Sequence, residues 1–98
     1  MATFITTVRF TQQGMTNIKD TCKRAASIQA GAKKLGVKVT NMFWMMGAFD
    51  GLLVFEAPDD ETATALMLQI GAQGNVHTQT ARAFTAAEME KILAAAAK

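Results

Sequence analysis

The chain has 98 residues, half of them hydrophobic and 18% charged, and its ten basic and eight acidic side chains give a formal charge of +2. A chain of that length makes one domain that by itself buries only about two-thirds of its unfolded surface, and the composition excludes a disordered protein. The charge excess is too small to point to nucleic acid, and the longest apolar runs, at residues 43–46 and 51–55, fall far short of the roughly 20 residues that would span a bilayer.

Residues 3–10 are rich in β-branched and aromatic side chains, with Phe4, Val8 and Phe10 at one parity, which predicts a first strand. Gln12-Gln13-Gly14 is expected to turn the chain. From Thr16 to Leu35 the residues Ile18, Cys22, Ala25, Ile28, Ala32 and Leu35 recur every three or four positions, so they predict one buried helix face. Asp20 or Thr21 can cap a break in this segment and Gly36 is a natural stop, which places the main helix at about 21–35. A long strand follows over 37–46.

The segment Gly47-Ala48-Phe49-Asp50-Gly51 then predicts a β-hairpin leading into a third strand over 52–57. Pro58 ends that strand, and Asp59 is placed to cap a helix running to about Ile70, with Asp60 and Glu61 in its first turn against the helix dipole. After Gly71-Ala72-Gln73-Gly74-Asn75 the alternation over 76–84 predicts a fourth strand. Thr85 with Glu88 matches a capping box for a short alanine-rich helix in the tail that ends at Lys98.

The order β-α-β-β-α-β with a terminal helix predicts an α+β fold of the ferredoxin-like kind, an antiparallel sheet with both long helices on one face. Strands two and three are apolar at both parities, through Met42, Phe43, Trp44, Met45, Met46, Leu52, Leu53, Val54 and Phe55. A lone antiparallel sheet would carry polar residues on its open side, so a homo-oligomer is expected, with two sheets facing one another as in a dimeric α/β barrel. The alternative is a C-terminal helix that covers the open face as a third layer.

Five segments, Phe10 to Gly14, Lys23-Arg24-Ala25, Gly47 to Gly51, Phe55 to Glu61, and Gly74-Asn75-Val76 with Arg82-Ala83-Phe84, resemble in order and spacing the GYD family of small bacterial proteins across nearly the whole chain. The resemblance implies a ferredoxin-like fold of the dimeric α/β-barrel kind and no settled activity. The sequence departs from the family pattern at Phe49, where the family usually has Tyr, and at His77, where it often has Arg. A role that needs a phenolic hydroxyl at position 49 is thereby put in doubt.

The candidate catalytic residues are His77 and Asp50. His77 is the only histidine, the residue type most often used as a general base, while a solvated edge histidine is the competing reading. Asp50 is either a carboxylate at the barrel mouth or simply the Asp that a turn before Gly51 favours. Candidate ligand-binding residues are Trp44, Phe49 and Arg82, Arg82 for its fork of donors. Glu56 is expected to pair with Arg82 or Arg9, and Cys22 to be a small buried hydrophobe.

Cys22 is the only cysteine, which excludes an intrachain disulfide and a multi-cysteine metal cluster and fits a reducing interior. The first residues lack the basic and apolar regions of a secretory signal, so the expected location is the cytoplasm. Phosphate-cradling, G-x-S-x-G and H-E-x-x-H motifs do not occur in the sequence. The sequence therefore predicts a homo-oligomeric binding or scaffold protein that takes a small apolar ligand, without cofactor or metal and without nucleic-acid or membrane partners. The alternative is a small cofactor-independent enzyme, an isomerase or oxygenase acting on an apolar or aromatic compound.

Overall fold

A computed structural model describes residues 1–97. The chain runs β1 (Ala2–Phe10), α1 (Gln12–Thr16), a 3-10 turn (Ile18–Asp20), α2 (Thr21–Lys34), β2 (Lys38–Trp44), β3 (Gly51–Ala57), α3 (Asp60–Ala72), β4 (Val76–Ala83) and α4 (Ala86–Ala96). Lys98, the end of the predicted tail, lies outside the described residues. The four strands form one sheet in the order β2-β3-β1-β4 with every neighbouring pair antiparallel, which is the ferredoxin-like topology.

Strand register fixes which side chains face the helices. Phe4 is in register with both Phe55 and Arg82, and Thr6 with both Leu53 and Thr80, so these six share the helix side. Ile5 is in register with Val54 and Ala81, and Thr7 with Leu52 and Gln79, so these lie on the other side. The core sits between the sheet and α2 with α3: Phe4, Leu53 and Phe55 meet Ala32, Ala63, Leu66 and Ile70, all buried. The Phe4 and Phe55 rings stack with centroids 5.3 Å apart, a pairing that contributes about 0.5–1.5 kcal/mol beyond area burial. Thr6 is the buried polar residue of this layer, and its hydroxyl meets Thr80 Oγ1 at 2.8 Å and the Met67 sulfur at 3.5 Å.

Two of the three expected caps form, while Asp20 stands at the N-cap of α2 without a side-chain cap bond. Asp59 accepts from the Thr62 amide at 2.8 Å, and Thr85 and Glu88 make the reciprocal capping box at the start of α4. Three expectations change. Gln12-Gln13-Gly14 is helical rather than a simple turn, because the Thr11 hydroxyl accepts from the Gly14 amide and caps α1. Strand β2 stops at Trp44, and Met45 and Met46 belong to the hairpin, where Met45 donates to the Asp50 carbonyl.

The third change concerns Cys22, which is exposed. Within α2 the face turned to the sheet follows Thr21, Ala25, Ile28 and Ala32 at four-three-four spacing, and Cys22, one residue and about 100° on from Thr21, falls off that face. The third-layer alternative fails as well. Helix α4 has no buried residue, and Met89, Ile92 and Leu93 stay exposed along it.

Candidate functional site

The fold leaves an apolar cavity of about 80 Å³ between the helix side of the sheet and α2. Its walls come from both layers: Val8, Leu53 and Val76 from the sheet, Ala25 and Ile28 from α2, and Ile70 from α3. Two features of the sequence open this space. Gly51 stands opposite Val8 on the helix side of β3 and supplies no side chain to fill it. Ala25 on α2 is too small to reach across. Polar groups are few: Thr6 and Thr78 on the sheet, Thr21 and Arg24 on α2, and Asp50 in the hairpin.

Trp44, the only tryptophan, stands at the edge of this cavity. Its indole Nε1 donates to Thr21 Oγ1 at 3.0 Å, which ties the end of β2 to the start of α2, and the ring remains about half exposed. Asp50 also borders the cavity. Its Oδ2 accepts from the Phe10 amide at 2.9 Å, its own amide donates to the Val8 carbonyl and its carbonyl accepts from Met45, so the residue locks the hairpin to β1.

Arg24 was not singled out as a site residue by the sequence, and it lines the cavity beside these groups. Nη1 donates to the Asn17 carbonyl at 2.7 Å and Nη2 to the Gly14 carbonyl at 3.3 Å, which stations the guanidinium at the C-terminal end of α1. The signal available was its place, three residues after Thr21 and four before Ile28, on the inner side of α2.

The remaining candidates lie elsewhere. Phe49 and His77 share a hollow on the open side of the sheet with Thr7, Arg9 and Gln79, and Arg9 stacks over the Phe49 ring at 5.4 Å. Arg82 borders a third hollow at the other end of the helix side, with Phe4, Asp60 and Thr80. His77 and Arg82, five positions apart on an unbulged strand, point to opposite faces, as strand periodicity requires.

Arg82 does not pair with Glu56. The register puts Glu56 on the open side beside Thr3 and Lys38, and Arg82 instead bonds Glu88 at 3.2 Å while its Nη1 donates to the carbonyls of Thr3 and Ala83. Strand parity had left the relative facing of the two strands open, and only the register settles it. Among the described residues no group of three or more His, Cys, Asp or Glu side chains is placed to hold a metal ion. Among the described residues no helix is long and apolar enough to cross a membrane.

Comparison with known proteins agrees with this architecture. A curated relative from Thermus thermophilus, named "Glutamine synthetase and cystathionine beta-lyase binding protein", is 29% identical over 90 residues, covering 91% of this chain and 95% of the relative. Among solved structures, MtbAldR superposes with a TM-score of 0.68 at 15% identity, over 86% of this chain and about half of that one, 53%. The 5-chloro-2-hydroxyhydroquinone dehydrochlorinase of Burkholderia phenoliruptrix AC1100, solved with 2,5-dihydroxybenzoquinone, superposes with a TM-score of 0.60 at 14% identity, over 86% and 94% of the two chains. At such identities the two structures share the fold alone. The GYD domain pattern matches residues 4–93, nearly the full length, and the chain belongs to the GYD domain family.

Proposed function

We propose that the protein is a homo-oligomeric binding protein in which the open sheet faces of two copies meet and each copy holds one small, largely apolar molecule in the cavity between its sheet and α2. The observation that carries the reading is the cavity itself, walled by side chains of both layers and bordered by the hydrogen-bonded indole of Trp44. Small-molecule sites are usually of this kind, apolar with a few placed polar groups. The volume of about 80 Å³ is well below the ~150 Å³ of a cavity that encloses benzene, so a ligand fills the interior with one apolar group and leaves the rest at the mouth.

Binding without catalysis is supported by how the titratable candidates are used. Asp50 ties the hairpin, Arg82 ties α4, and His77 stands on the opposite side of the sheet from the cavity. The curated relative is named for binding two enzymes, which accords with a protein that acts by binding.

Oligomerisation is supported by the open face. Ile5, Leu52 and Val54 on the two central strands, with Phe43 and Ala81 beside them on the edge strands, make it largely apolar in the middle, interrupted by Thr7, Asn41 and Gln79, while Arg9, Lys38, Glu56 and His77 lie toward its ends, as a partly apolar interface with a charged surround would have them. Helix α4, with Met89, Ile92 and Leu93 along it, would pack on the second copy. A reducing cytoplasm suits the exposed thiol of Cys22.

Titration of the purified protein with isoamyl alcohol, followed by Trp44 fluorescence, tests the cavity. Saturable change at one molecule per chain is expected. No saturable change with this or other short branched alcohols overturns the reading.

A further inference from the structure

Two opposite charges line an otherwise apolar cavity without neutralising each other. Arg24 and Asp50 both border it, yet among the described residues they form no ion pair. Asp50 is held by the Phe10 amide at the end of β1, and Arg24 by the carbonyls of Gly14 in α1 and Asn17 at the C-terminal end of α1. These bonds fix both groups and leave capacity over. Asp50 Oδ1 has no hydrogen-bond partner among the described residues, and two of the five guanidinium N–H donors are used at Nη1 and Nη2.

A ligand that satisfies this arrangement carries an anion for Arg24, a cation for Asp50 and an apolar group for the interior. We propose that the cavity binds a free α-amino acid with an aliphatic side chain, its carboxylate on Arg24, its ammonium on Asp50 and its side chain among Val8, Ile28 and Leu53. The proposal rests on the small-molecule reading above and specifies its ligand. Size favours an aliphatic group over an aromatic one, since about 80 Å³ accepts a branched four-carbon chain and a ring needs closer to ~150 Å³. The two charges also explain the selectivity expected. Losing either partner of a charge-assisted bond at a half-buried site costs about tenfold or more in affinity.

The test compares four probes on the assembled protein by isothermal titration and Trp44 fluorescence: leucine, isocaproate, which lacks the amino group, isoamylamine, which lacks the carboxylate, and isoamyl alcohol, which lacks both. Leucine is expected to bind at least about tenfold more tightly than any of the other three. In Arg24→Met the affinity for leucine should fall to that for isoamylamine, and in Asp50→Asn to that for isocaproate, with isoamyl alcohol unaffected as the sign of an intact cavity. Should a variant not fold, the four probes on the unaltered protein decide. Isoamyl alcohol binding as tightly as leucine overturns the amino-acid assignment and leaves the cavity reading standing. Absence of binding by all four overturns both.

Discussion

Arg82 Nη2 lies 3.2 Å from Glu88 Oε2, across the corner where β4 gives way to α4. The same guanidinium lies 4.6 Å from the Phe84 ring centroid and 5.7 Å from that of Phe4, so one side chain holds the strand end, the corner and the helix start together. Helix α4 needs such a tie. It has eleven residues and none of them is buried, and isolated helices of that length are marginal in water.

Acid should therefore loosen α4 first. The Glu88 carboxyl is held below its ordinary value of 4.5, chiefly by the Thr85 amide and then by Arg82. A carboxylate with a lowered folded pKa stabilises the fold above its unfolded pKa, and that contribution disappears as pH falls through the folded value. Hydrogen exchange over 86–96 is expected to quicken as pH drops below 4.5, after correction for intrinsic rates, while β1 and β3 stay protected. Glu88→Gln should remove the pH dependence, and Arg82→Met should remove only part of it. A helix whose protection ignores pH in the unaltered protein would refute this account.

Gly14 and Gly71 should respond in opposite directions to alanine. Gly14 is buried where α1 meets the loop before β4, and a Cβ there would run into the Asn75 carbonyl that already accepts from the Thr11 amide. Gly14→Ala is expected to cost about 1–3 kcal/mol by overpacking. Gly71 lies exposed near the end of α3 with open space around it, so Gly71→Ala should gain about 0.5–1 kcal/mol from helix propensity. Urea melts of the two variants check both signs.

Much of this fold was readable in the sequence because its signals are local. Asp59 before an acidic first turn and Thr85 three residues before Glu88 each act within one turn of backbone, and each sits in the structure as expected, whereas the Asp50 side chain reaches the Phe10 amide of a distant strand. Of the segments that carry the family resemblance, Phe55 to Glu61 holds one such local device, while Gly14 owes its place to a contact with the distant Asn75 backbone. What the sequence could not supply was long-range register. Whether Arg82 faced Glu56 depended on the alignment of β3 and β4 through β1, and the exposure of Cys22 depended on which of two neighbouring stripes of α2 meets the sheet, the one through Thr21 or the one through Cys22. The cavity was hidden for the same reason. Arg24, Trp44 and Asp50 come from three distant segments, and no spacing announces that they border one space.

Adjacent residues of β3 should separate folding from assembly. Leu53 is 4% exposed on the helix side, and Leu53→Asp should prevent folding, since an unpaired buried charge costs several kcal/mol. Val54 faces the open side, opposite Ile5 and Asn41. If that face joins two copies, Val54→Asp should yield a folded monomer with native far-UV circular dichroism, and light scattering should show half or less of the mass of the unaltered assembly. A Val54→Asp protein that keeps the mass of the parent would remove the open face from the interface.

Asp50 serves the hairpin and, by the inference above, the ligand, and substitutions can tell these uses apart. The hairpin use requires an acceptor for the Phe10 amide, which Asp50 Oδ2 provides at 2.9 Å. Asparagine keeps an acceptor oxygen in that place and suits the same turn, so Asp50→Asn should shift stability by no more than about 0.5 kcal/mol. Alanine removes it and leaves a part-buried N–H unmet, for a loss of about 1–3 kcal/mol. The ligand use requires the negative charge, which asparagine lacks. Asp50→Asn is therefore expected to melt like the parent protein in urea and yet to bind leucine about tenfold more weakly, with isocaproate binding unchanged. A stable Asp50→Asn protein with undiminished leucine affinity would leave Asp50 as a turn residue only, and a large stability loss in Asp50→Asn would mean that its charge, not merely its acceptor, holds the hairpin to β1.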